Sequence, residues 1–254
     1  MINFIDIGAS AGEMTDQFVG LMNRLKIEYR VFAFEPFRAD YEALVKKYES
    51  NHRIQVMPQA CSDYNGKGNL YRSVRIGGHS LKKEKINIQP DVFDVVDVIK
   101  FSEWFTVNIP DSDFSVVKIN VEGSEYELYT DIIESKINKS INLFCGSLGD
   151  LYKIGKPEKE INDFLDYLEK NKIVVHTLTP NDYGFIVDME RFILDNKDVV
   201  PAKSENEIVR DKKSTSRTAQ TPEVSVGGDL PWFEPEKAKP KKKPGRKKAG
   251  TTKK

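Results

Sequence analysis

The chain has 254 residues, 39% hydrophobic and 31% charged, with 39 basic side chains against 39 acidic ones. That is enough to bury one sizeable α/β core, and it excludes several classes of protein. Two cysteines, Cys61 and Cys145, make neither a disulfide framework nor a zinc site and read as small buried apolar residues; no apolar run nears the ~18 residues of a bilayer span; and the N-terminus enters a strand-like segment at once, so a cytoplasmic (or nuclear) protein with no membrane partner is expected.

In chain order, Ile2–Ile7 reads as a buried strand. Gly12–Lys26 follows as a helix, with Met14, Phe18, Met22 and Leu25 at helical spacing. Arg30–Glu35 (RVFAFE) is a second strand, and Arg38–Ser50 a second helix with Tyr41, Leu44, Val45 and Tyr48 on one face. Arg53–Ala60 is a third strand. Lys67–Ser73 and Asp91–Val98 are extended pieces flanking a Gly-rich loop. Phe114–Val121 is a strongly apolar strand, Glu125–Ser135 a helix and Ile141–Cys145 another strand. Glu158–Asn171 is a helix, and Ile173–Leu178 with Phe185–Met189 forms a closing pair. Strands alternating with helices predict a mainly parallel sheet covered on both faces, within a domain spanning 1–201.

Beyond Pro201 the composition turns to Lys, Ser, Thr, Pro and Glu with little apolar periodicity, which predicts disorder: a linker over 202–235 and a basic tail over 236–254. The tail holds ten Lys or Arg against one Glu, so a net of +9 there leaves −9 on the other 235 residues. Lys237–Lys248 (KAKPKKKPGRKK) resembles an AT-hook or histone-tail segment, with Arg246 after Pro244-Gly245 as its centre. Its lysines are placed for weak contact with nucleic-acid phosphates, or for solubility alone, or for folding back on the acidic body. Asp229–Phe233 (DLPWF) is an aromatic island that reads as a docking peptide or a chance cluster.

The sharpest signal is the first turn, Phe4–Gly12 (FIDIGASAG), an apolar strand ending in small residues that open a helix. In open parallel sheets, ligands bind beyond the carboxyl ends of strands. Glu35 ends the second strand, 23 positions after Gly12, close to the offset of an acid that accepts from ribose hydroxyls. The glycine spacing is G-x-x-x-G with Asp6 just ahead, not the G-x-G-x-x-G of a dinucleotide site. Asp6 suits the amino and sulfonium groups of S-adenosylmethionine better than a pyrophosphate.

Four segments in order carry a resemblance to the FkbM-type S-adenosylmethionine-dependent methyltransferases: FIDIGASAGEMT (4–15), FAFEP (32–36), PQACSDYNGKGNLY (58–71) and VVKINVEGSEYELY (116–129). GGHSL (77–81) is similar to the family's loop before its fourth strand, and the set is spread over residues 4–129 of the expected domain. The resemblance implies a class I methyltransferase (Rossmann-like) fold, seven strands with the last antiparallel, and O-methylation of a hydroxylated small molecule or glycan. Carried over by residue, Asp6, Gly8, Ala9 and Gly12 line the methionine portion, Glu35 holds the ribose, and Ser62 and Asp63 lie near the adenine. Asn120, Glu122 and Glu125 face the substrate. The family's K-I-D-V-E-G reads Lys118-Ile-Asn120-Val-Glu122-Gly123 here, and an Asn is neither a base nor a good metal ligand, so no metal is expected.

Among bases for the acceptor, His79 reads as an exposed loop histidine or as a group carried over the site by Gly77-Gly78. Glu125 reads as a first-turn helix acid or a functional one, and Glu122 is better placed at a strand's carboxyl end. Two functions stay open: an active O-methyltransferase, and a catalytically weakened donor-binding module tethered to nucleic acid by the tail.

Overall fold

The computed structural model describes residues 1–74, 77–177 and 184–195; the expected linker, basic tail and DLPWF island lie outside the described residues. The central sheet is built from β1 (Ile2–Ile7), β2 (Tyr29–Phe34), β3 (Ile54–Met57), then β7 (Phe114–Ile119), β8 (Leu143–Gly146) and β9 (Val175–Thr177). Its order is β3-β2-β1-β7-β8-β9 and every pair is parallel. This is the doubly wound order, with its switch point between the carboxyl ends of β1 and β7.

Period-two alternation sends the strand side chains to two cores. Ile2, Phe4, Val31, Ala33 and Val116 pack under α1 (Glu13–Leu25), α2 (Arg38–Tyr48) and α6 (Gly184–Asp195). Ile5, Ile7, Phe32, Phe34, Val117 and Ile119 pack under α3 (Phe101–Asn108), α4 (Glu125–Glu134) and α5 (Glu158–Lys170). Covering on both faces is why β1, β2 and β7 read as near-continuous apolar runs. Phe18 of α1 stacks on Phe4 of β1 at 4.6 Å between ring centroids.

A second sheet lies beside the first. It consists of β4 (Gln59–Ser62), β5 (Gly66–Ser73) and β6 (Ile88–Lys100) in the order β4-β6-β5, with β5 antiparallel to β6. The segment between them, 77–87, forms a strap that returns toward β7. Among the described residues no helix is long and apolar enough to cross a membrane.

The structure differs from the sequence reading at several places. Arg53–Ala60 is not one strand: the ladder stops before Pro58, which has no N–H to continue it, and the chain changes sheets. Phe101–Asn108, left without an element, is α3, whose buried Phe101 and Phe105 are one helical turn apart. Phe185–Met189 is not a strand but the start of α6, where Ile186, Met189 and Ile193 follow helical spacing and pack near α1. The central sheet therefore has six strands among the described residues, none of them antiparallel. Val45, expected on the inner face of α2, is exposed.

Candidate functional site

The carboxyl ends of β1, β2 and β7 converge at the switch point. Gly8 and Ala9 donate their N–H groups to Phe34 O at 3.0 and 2.9 Å, which ties the first turn to β2. Gly8 has φ 79°, and a Cβ there would collide with the carbonyl oxygen of Asn120, so this approach of strand ends requires glycine. Ser10, in the left-handed region at φ 48°, donates its N–H to Glu35 Oε2 at 2.8 Å. Phe37 N–H donates to Glu35 Oε1, also at 2.8 Å. Glu35 is only 6% exposed, and this burial pushes its carboxyl up from 4.5 to about 7. Each of its oxygens keeps a further acceptor position.

Beneath the turn lies a buried ion pair. The parallel register sets Asp6 beside Lys118, with Nζ–Oδ1 at 2.9 Å. Lys118 also donates to Gly8 O at 2.6 Å, and Thr15 Oγ1 donates to the other Asp6 oxygen at 2.8 Å. Asp6 is fully buried in these contacts and does not reach the ligand crevice, contrary to the sequence reading.

The crevice is an open cleft with about 650 Å³ of empty space, a figure that includes open solvent. Of the expected site residues, Gly8, Glu35, His79, Asn120 and Glu122 line it. Six others do not. Besides Asp6, Ala9 packs into the core under α1, and Gly12 is pressed against Leu44 and Tyr48, whose hydroxyl donates to Gly12 O. Ser62 is buried beside Asp63, to which its hydroxyl donates, and Gln59, Ala60 and Cys61 supply that wall instead. Glu125 is wholly buried, accepting from Val121 N–H at 3.0 Å and Gly123 N–H at 2.8 Å, and burial pushes its carboxyl up to about 7.

His79 is half-buried rather than exposed, its ring 4.0 Å from that of Phe37. Its Nδ1 accepts from Ser73 N–H at 3.2 Å, so a neutral ring carries its proton on Nε2 and presents a donor rather than a base. Burial lowers its affinity for a second proton. Glu122, at φ 58°, is ion-paired with the buried Lys85 of the strap, and its carbonyl accepts from Ser80 Oγ at 2.6 Å. Lys85 also lies 3.4 Å from Asp150.

Sequence reasoning did not find Ser10, Asp40, Ser124, Lys85 or Lys118. Ser10 and Ser124 lie inside the quoted motifs, but nothing local marked them. The lining charges are Glu35, Asp40 and Glu122, with no lysine or arginine among the described residues. With Glu122 paired to Lys85, the wall keeps Asp40 and the partly ionised Glu35 unneutralised and offers no cationic side chain to a pyrophosphate.

A family model described as the methyltransferase FkbM domain matches residues 6–139, more than half of the chain. The chain belongs to the FkbM methyltransferase domain family. The FkbM match runs from Asp6 in β1 through α4, and every lining residue of the crevice, Ile7 to Ser124, falls within it. Among curated proteins none matches this sequence.

Proposed function

We propose that this FkbM-family chain is an S-adenosylmethionine-dependent methyltransferase acting on the hydroxyl of a small molecule or sugar. The observation that carries the reading is that the Gly8 turn and the Glu35 carboxylate line one acidic crevice at the switch point of a doubly wound sheet. The residues present fit the donor: Glu35 retains acceptor capacity for a ribose diol, and the carboxylates of Glu35 and Asp40 favour a cationic ligand.

When bound, the donor supplies an already activated methyl group on a sulfonium. The chain's own residues then have two tasks, to hold an acceptor oxygen in line and to receive its proton. Gly8 and Ser10 shape the floor, and Lys118 fixes the Gly8 carbonyl from below. Glu122, at the carboxyl end of β7 and held by Lys85, is the carboxylate we assign to the proton. His79 donates from Nε2 and orients.

The test uses the full chain. S-adenosylmethionine at 100 times its dissociation constant should stabilise the protein by about 2.7 kcal/mol, and NAD should not. No thermal shift with the donor would end this reading. S-adenosylhomocysteine formation with a panel of hydroxylated compounds then tests turnover. Asn120, standing where the family pattern has Asp, favours a second reading: a weakened donor-binding module tethered to nucleic acid by Lys237–Lys248. That reading predicts donor binding without product, and a gel shift lost on deleting 236–254.

A further inference from the structure

Two polar side-chain atoms at the β7–α4 turn are buried by the fold and left unpaired. Asn120 Oδ1 and Ser124 Oγ are shielded from solvent and have no hydrogen-bond partner among the described residues. Both residues line the crevice, and Ser124 is 2% exposed.

The position of Ser124 sharpens the point. It is the N-cap of α4, where a serine hydroxyl ordinarily accepts from the second or third helical N–H. Here no side-chain cap bond forms, and the backbone sits at φ −98°, ψ 14° instead of the extended conformation of a usual cap. Glu125 reaches back to satisfy Val121 and Gly123 N–H in its own way. The serine hydroxyl is thereby free of local duty, just behind the crevice surface that its residue lines. Six buried side-chain atoms among the described residues lack a hydrogen-bond partner, Asp6 Oδ1 (ion-paired with Lys118), Ser115 Oγ, Asn120 Oδ1, Ser124 Oγ, Glu127 Oε2 and Tyr129 OH, and only Asn120 and Ser124 belong to residues that line the crevice.

Resting on the methyltransferase reading above, we infer that Ser124 and Asn120 together hold the hydroxyl of the methyl acceptor. Asn120 Oδ1 can only accept, and Ser124 Oγ can both donate and accept. A hydroxyl satisfies both, donating to Asn120 and accepting from Ser124; neighbouring hydroxyls of one sugar serve equally. An ammonium can only donate and would leave the serine proton unpaired. A phosphate or carboxylate offers nothing to Asn120 Oδ1 and meets the carboxylates of Glu35, Asp40 and Glu122. The pair thus selects an uncharged hydroxylated acceptor, with Ser124 as a specificity-determining residue.

Two measurements on the full chain test this. In the ligand-free protein, Ser124→Ala should leave the Tm unchanged or raise it by up to about 2–4 °C, because it removes an unpaired buried group. A fall of that size would show that the hydroxyl is needed for structure, and would overturn the assignment. In the complex with S-adenosylhomocysteine, binding of methyl α-D-mannopyranoside, methyl α-L-rhamnopyranoside and putrescine is followed by saturation-transfer NMR. A methyl glycoside should bind the wild type, and Ser124→Ala and Asn120→Ala should each weaken it at least ~10-fold while S-adenosylmethionine affinity stays within about twofold. Glycoside binding that survives both substitutions, no glycoside binding at all, or preference for putrescine would each overturn the inference. So would a ~10-fold loss of donor affinity in the variants, which would assign the pair to the donor and leave the proposed function standing. A wild type that binds no S-adenosylmethionine would remove that function and this inference with it.

Discussion

Glu35 at the end of β2 and Glu125 at the start of α4 are near twins in their chemistry. Each carboxylate accepts two backbone N–H groups across a strand-to-helix turn, and burial pushes each from 4.5 to about 7. Yet Glu35 lines the crevice and Glu125 does not. A displaced carboxyl titration therefore marks a turn braced from inside as readily as a ligand site. The distinction lies in what remains open: Glu35 lines the crevice with acceptor positions to spare, while Glu125 is closed off with Gly123 and Val121.

The severest perturbation removes the brace beneath the first turn, on which the Glu35 side of the comparison rests. Lys118→Met strands the buried Asp6 charge and frees the Gly8 carbonyl, and should cost about 3–5 kcal/mol in denaturant unfolding. A loss under ~1 kcal/mol would show that the first turn does not depend on it. Glu125→Ala leaves two N–H groups without partners and should cost about 2–4 kcal/mol of stability, with S-adenosylmethionine affinity of the folded protein unchanged within about threefold. Glu35→Ala should do the reverse in emphasis, lowering donor affinity at least ~10-fold by calorimetry, since a charge-assisted bond contributes about 1.5–3 kcal/mol. Equal donor affinity in both variants would erase the distinction. The smallest effect sharpens it further. A ribose diol favours the ionised Glu35, whose carboxyl titrates at about 7, so donor affinity should rise as pH increases through that value. Between pH 6 and 8 the gain should be at most ~10-fold, present in Glu125→Ala and absent in Glu35→Gln.

Much of this arrangement was legible in the sequence where the signal was local. The run Phe4–Ile7, the glycines and the spacing of Phe18 and Met22 gave strand, turn and helix, and one βαβ unit then fixed where Glu35 had to emerge. What escaped depends on register between distant segments. Asp6 looks like a ligand-facing acid until Lys118 is set beside it by the β1–β7 pairing. Glu122 looks like a free carboxylate until the strap brings Lys85 to it. Phe185–Met189 reads as a strand because a short apolar run has no decisive period, and only Ile193 completes the helical face. Ser124 was hidden by its own normality, since a serine before Glu125-Tyr-Glu127-Leu128 looks like a routine cap.

Glu122 occupies a left-handed backbone conformation, φ 58°, where a residue with a Cβ is disfavoured by roughly 1–2 kcal/mol. Glycine would fit the bend without that cost, but only the acid's side chain can fasten the strap through Lys85. A Glu122→Gly change would thus relax the bend and unlatch the strap in a single step, loosening the mouth of the crevice while the six-stranded sheet behind it stays intact.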